Sequence, residues 1–229
     1  PPPTAHRATE TPMDLTQFSP SSALITVVVL ALAPFVAVMV TSFTKIVVVL
    51  SLLRNAMGLQ QVPPNVVLNG LALVLSVYVM YPVALEMSKH LGAAKAPMAN
   101  TQALLQAADG AKEPLREFLY RHSRELERAF FLKTAQKSLK PDQAAALTER
   151  DFLIVVPAFT VSELSVAFEI GFLIFLPFLV IDLVISNILM AMGMMMLSPT
   201  TVSLPFKLLL FVLIDGWVKL THGLVLTYH

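Results

Sequence analysis

Polar residues in this chain are bunched, and the long stretches between the bunches are almost wholly apolar. From Ala23 to Leu53 the sole charged residue is Lys45. At about 1.5 Å per residue, a helix of that length outruns a hydrocarbon core of roughly 30 Å. Ser21 and Ser22 are N-cap residues for such a helix, and Pro34 predicts a bend about a third of the way along. Gly58 through Pro63-Pro64 then breaks the chain. A second apolar run, Val66 to Leu85, opens at Asn65, contains Pro82 and has the right length to pair antiparallel with the first.

From Glu86 to Asp151 the pattern changes. Pro114-Leu115 opens a helix in which Phe118, Leu119, His122, Leu126 and Phe130 recur at spacings of three and four among charged residues, the mark of an amphipathic helix facing water. Phe152 to Leu197 is apolar again and too long for one simple span, so Pro157 and Pro177 are expected to kink or divide it. Ser198-Pro199 turns the chain into a last apolar helix, Val202 to Leu226. The reading is all-α: a flexible tail over residues 1–20, an apolar helical hairpin over 21–85, a polar helical domain over 86–151 and a second apolar hairpin over 152–229. The apolar runs are continuous rather than alternating, which argues against a β-barrel.

Composition agrees. Hydrophobic residues make up 56% of the 229 positions and charged residues 14%, against roughly 45–50% apolar in a soluble globular domain. A net charge of +1 supplies no field to gather nucleic acid, and no nucleic-acid motif is present. There is no cysteine, so packing and internal hydrogen bonds must hold the fold. Residues 1–20 lack the basic n-region of a cleavable signal.

Two local features carry chemistry. Met190, Met192, Met194, Met195 and Met196 fall within seven positions around Gly193. Unbranched Met commonly fills irregular core gaps, but Gly193 and Ser198-Pro199 place the last three at a helix end or loop, where they need not face a core. The second feature is a set of ionisable residues in apolar segments: Lys45, Glu163, Glu169, Asp182, Lys207 and Asp215. Such groups are costly unless paired or cavity-facing. If the last two helices fold about Ser198, Lys207 and Asp182 differ by about 10 Å along the axis, too far for a direct bond, and Asp215 falls opposite Asp182. Hydroxyls at Thr41, Ser42 and Thr44 make a polar collar beside Lys45 and are expected to bond to nearby carbonyls.

The strings QQVPPN, PAFTVSEL and SLPFKLLLFV, within Thr41–Gly70 and Phe152–Trp217, resemble the FliP/SctR family of type III secretion export-gate subunits. RNAMGLQQVPPNVVLNG is closer to the virulence (injectisome) branch, while GMMMLSP occurs in a flagellar-like form. The resemblance implies a pentamer, assembled helically with SctS/FliQ-like and SctT/FliR-like subunits beside SctU/FlhB-like and SctV/FlhA-like proteins. It implies a pore for unfolded secreted substrates at the bacterial inner membrane, with the assembled complex on the periplasmic side, its apolar helices buried mainly against one another, and membrane lipid as a further partner. It also carries the role of pore gasket to Met194, Met195 and Met196, with Met190, Met192 and Phe206 as further gate residues. In a ring, Glu163, Glu169, Asp182, Lys207 and Asp215 are expected to find partners on neighbouring subunits, with pairing inside the subunit as the alternative.

Enzymatic readings are weak. The contexts of Asp182 and Asp215, IDLV and IDGW, lack the Tyr-Asp and Gly-x-Gly-Asp of intramembrane aspartyl proteases. The five histidines are scattered without zinc spacing, and no nucleotide loop occurs, so neither cofactor nor metal is expected. An ion-coupled carrier using buried carboxylates is the stronger rival.

Overall fold

The computed structural model describes residues 20–59, 61–93, 101–194 and 196–228. The tail expected over 1–20, apart from Pro20, lies outside the described residues, as does Met195. Among the described residues the ordered elements are all helices: α1 (Pro20–Met39), α2 (Phe43–Ala56), α3 (Asn65–Ala93), α4 (Thr101–Arg121), α5 (Glu125–Ser138), α6 (Pro141–Ala146), α7 (Phe152–Ala191), α8 (Pro199–Leu213) and α9 (Gly216–Leu226). The chain divides into two units, residues 1–37 and 38–229.

In the larger unit α2 packs between α3 and α7, and α4 runs alongside α3. Ile46, Val49 and Leu50 of α2 meet Leu68 and Ala72 of α3, Ala167 of α7 and Leu224 of α9. A second cluster joins Val79 of α3, Phe118 and Leu119 of α4, Val155 and Phe159 of α7, and Tyr228. A third joins Leu53, Ala56 and Met57 to Phe178 and Phe211, where α8 lies against α7. Spacings of three and four on α2 put one face toward each neighbour, and burying these side chains is the main stabilisation.

The breaks fall where side chains satisfy backbone groups, and not always where proline stands. The first apolar run is two helices: α1 passes through Pro34, and the chain breaks at the polar collar instead. There Thr44 Oγ1 donates to the Val38 carbonyl at 2.9 Å and the Phe43 N–H donates to Thr41 Oγ1 at 3.4 Å, so hydroxyls replace the missing turn. Pro114 likewise lies inside α4 rather than opening it. The expected amphipathic helix is broken between Arg121 and Glu125, because the buried Arg128 donates to the carbonyls of Tyr120, at 3.2 Å, and Ser123, taking over the end of α4.

Pro157 and Pro177 do not divide α7, which runs unbroken for 40 residues. A proline removes one helical hydrogen bond, and packing on α2, α4, α5 and α8 holds the flanking turns. The last apolar run, by contrast, is bent by 61° between α8 and α9. Asp215 takes a left-handed conformation (φ 52°) at the bend. A Cβ on the next residue, Gly216, would lie 2.2 Å from Cε2 of Phe211, so only glycine lets α9 fold back over that ring. Phe211 is buried in the third cluster and edge-on to Trp217 at 5.4 Å between ring centroids.

Gly216→Ala is therefore expected to destabilise the chain by about 1–3 kcal/mol through overpacking, read as a lower thermal midpoint in detergent; an unchanged midpoint would show that α9 can shift freely.

Candidate functional site

Two buried polar clusters and one exposed turn make up the site. The first cluster centres on Glu163, 2% exposed and held in the middle of α7. Lys45 of α2 donates to Glu163 Oε1 at 3.2 Å, and the Tyr228 hydroxyl donates to Oε2. The Lys45 ammonium also sits 3.6 Å from the centroid of the Tyr228 ring, a cation–π contact that covers its remaining open side. Ser42 Oγ donates to Ser76 Oγ at 3.1 Å, extending the polar seam to α3. Burial first, and the Glu163 carboxylate second, push the Tyr228 phenol well above its usual range, so it stays a donor.

His122 borders this cluster. Its ring lies 5.2 Å from that of Tyr228, and its Nδ1 is 2.8 Å from the Phe118 carbonyl. Burial holds the imidazole below its ordinary value of 6.5, against the opposing pull of that carbonyl.

The second cluster ties α2, α7 and α8 together. Lys207 of α8 donates to Asp182 Oδ2 at 2.6 Å and to the Ala56 carbonyl at the end of α2 at 3.3 Å. Ser203 Oγ donates to the other Asp182 oxygen. The expected axial mismatch between Lys207 and Asp182 does not hold, because the turn is not a point at Ser198. Measured from the helix ends at Ala191 and Pro199, Asp182 lies about 13.5 Å and Lys207 about 12 Å from the turn, nearly level.

Beyond this pair the chain reverses through the methionine-rich turn. Gly193 adopts φ +72°, its N–H donates to the Met190 carbonyl at 3.0 Å, and the Met194 N–H reaches back to Leu189 at 2.9 Å. This double closure is a Schellman motif, and glycine is needed at its left-handed position. Ser198 and Pro199 then start α8. Past this closure the described side chains point outward: Met190, Met192, Met194 and Leu197 are about half exposed and Met196 wholly so.

Of the other residues singled out in the sequence, Glu169 pairs with Arg124 at 2.6 Å on an exposed edge. Glu163, Glu169, Asp182 and Lys207 thus all have partners within their own chain, while exposed Asp215 has no ion-pair partner among the described residues. Phe206 is exposed on α8. Sequence reasoning missed Tyr228, since nothing in THGLVLTYH marks the tyrosine as a partner for a glutamate 65 residues earlier. It placed Lys45 among the costly charges but gave it no partner. Among the described residues, no group of three or more His, Cys, Asp or Glu is placed to hold a metal ion.

These features define an all-helical membrane protein with charges neutralised inside a helix bundle. Asn65–His90 and Phe152–Ala191 are long and apolar enough to cross a bilayer, and the bent pair α8–α9 adds a third if it counts as one span. The chain belongs to the FliP family, whose profile matches residues 25–224. It is 55% identical over 206 residues to the Yop proteins translocation protein R of Yersinia pestis, covering 90% of this chain and 94% of that one. It is 50% identical over 210 residues to the hypersensitivity response secretion protein HrcR of Ralstonia nicotianae, covering 91% and 97%. Identity to the flagellar biosynthetic protein FliP of Bacillus subtilis is 43% over 205 residues, 90% of each chain. The chain is thus nearer these virulence-type relatives than the flagellar one.

Lys45→Met leaves the buried Glu163 carboxylate without its cation and is expected to lower stability by about 3–5 kcal/mol, with much of the loss recovered in the Lys45→Met/Glu163→Leu double variant. Denaturant unfolding in detergent measures both, and a double variant no better than the single would remove the pair as the cause. For His122, whose folded value lies below 6.5, the unfolded chain binds the extra proton first, so its contribution is whole above about pH 6.5 and falls as the pH drops further. Thermal midpoints between about pH 7.5 and 5 should fall more steeply for the native chain than for His122→Gln; parallel slopes would contradict this.

Proposed function

We propose that this chain is the pore-forming subunit of a type III secretion export gate and that five copies conduct unfolded protein substrates through a methionine gasket. A role in protein secretion follows from the family, and the relatives from Yersinia and Ralstonia are named for translocation and secretion. The feature that carries the finer reading is the turn after α7, closed at Gly193 by backbone hydrogen bonds and apolar at its exposed side chains. Met194, Met195 and Met196 form the gasket, with Met190, Met192 and Phe206 around it. Thioether side chains repel water and ions when they close on one another, yet their rotatable bonds let them deform around a polypeptide of any sequence.

The assembly is a homopentamer with SctS/FliQ-like and SctT/FliR-like subunits in the bacterial inner-membrane region, its body on the periplasmic side. Exposed apolar residues on α7, among them Phe168, Phe172, Leu173 and Leu183, give that assembly its contact surface. An apolar cavity of 640 Å³ between α7, α8 and α9, lined by Ile174, Phe178, Leu210 and Leu220, offers a further seat for neighbouring helices. Asp215, exposed at the bend, supplies an intersubunit contact, and the Arg124–Glu169 pair lies on an edge where a neighbour can share it.

The carrier reading requires a buried carboxylate free to take up a proton. Glu163 and Asp182 each hold a lysine within hydrogen-bond distance and a hydroxyl besides, which favours a static tie over a relay. The chain does no bond chemistry in this reading.

Replacing Met194, Met195 and Met196 together with Ala is expected to raise ion leak through the assembled gate several-fold while the purified particle keeps a mass that includes five copies of this chain. Normal assembly with unchanged leak would remove the gasket assignment, and a stable monomer would remove the gate itself.

A further inference from the structure

The same turn concentrates a reactive group. Thioether sulfur is a soft nucleophile, and its reaction with peroxides depends chiefly on access. Met190, Met192 and Met194 are 56%, 56% and 44% exposed and Met196 fully so, whereas Met57, in the core beneath α8, is 2% exposed. Among the described residues, no hydrogen bond occupies these four exposed sulfurs. The backbone of the turn is closed by the Gly193 motif, so a change at these sulfurs alters the surface of the turn without unmaking its fold.

We infer that Met190, Met192, Met194 and Met196 of this turn are an oxidative modification site, at which hydroperoxides convert the thioethers to sulfoxides and open the closed gate to water and ions. In each event a sulfur lone pair attacks one peroxide oxygen and the O–O bond breaks. Sulfur is oxidised, the second oxygen leaves with the proton as water, or as an alcohol from an organic peroxide, and the peroxide is the species reduced. The product carries a strongly polar S–O acceptor where a water-repelling group stood. A constriction that seals by excluding water stops sealing once its lining binds water. A ring of five turns multiplies the effect, since each copy contributes several sulfurs to one constriction. Sulfoxide is reducible, so the change is reversible by methionine sulfoxide reductases.

The inference rests on the gasket reading, and the experiment separates the two. The assembled gate in liposomes is treated with hydrogen peroxide, sulfoxides are located by peptide mass mapping, and ion leak is measured against each sample's own untreated value. Sulfoxides are expected at the turn before Met57, together with a several-fold rise in leak that sulfoxide reductase reverses. A variant carrying Met190→Leu, Met192→Leu, Met194→Leu, Met195→Leu and Met196→Leu is expected to show no rise on treatment.

Turn sulfoxides without increased leak, alongside a leaky Met194→Ala/Met195→Ala/Met196→Ala variant, would overturn the inference and leave the gasket standing. Oxidation of Met57 ahead of the turn would also overturn it. A sealed Ala variant would remove the gasket and the inference with it.

Discussion

A lysine and a glutamate facing each other with no water between them set the terms for the rest of this fold. Lys45 and Glu163 stand 118 residues apart in sequence, and each is almost completely buried. Removing either charge from water is expensive, and the attraction repays it only if the remaining donors and acceptors are also met. The structure meets them by bringing the end of the chain back into the core. The Tyr228 hydroxyl takes the second carboxylate oxygen and its ring covers the ammonium. One interaction thus fixes the register of α2 on α7 and the course of the chain after α9, where Phe118, Phe159 and Val155 pack around the same tyrosine.

The second pair does similar work nearer the turn. Lys207 joins Asp182 to the Ala56 carbonyl at the end of α2, so the two helices flanking the methionines are held together and to the core. Together with the Schellman closure at Gly193, this ties down the end of α7 and leaves the described methionine side chains exposed. The proposed gasket draws on that combination of an anchored helix end and thioethers that can rearrange. The same exposure leaves their sulfurs open to oxidants.

Hydrophobicity has two meanings in this chain. Ile46, Val49, Leu50 and their neighbours bury one another, as in any bundle core. Much of α7 instead faces outward with large apolar side chains, and its most apolar window is only 11% buried. Length and hydropathy alone read such a helix as a span in lipid. The ion pairs and the glycine-framed turns show that parts of it also belong to a packed protein interior.

By itself the sequence determined the all-helical class, the ends of the long apolar runs, the methionine cluster and the charges that had to be neutralised. These follow from composition and spacing, which are local. Proline misled at Pro114, which lies inside α4 rather than opening it, and as a divider at Pro157 and Pro177, through which α7 continues, because one lost hydrogen bond is small beside the packing on either side. The true breaks, at Thr41-Ser42, at Ser123-Arg124 and at Asp215-Gly216, depend on which side chain can satisfy a carbonyl or which ring lies above a glycine. Which charge meets which was likewise decided only in three dimensions, since the seven-residue turn between α7 and α8 brings Lys207 level with Asp182, and the return of the chain after α9 brings Tyr228 to Glu163.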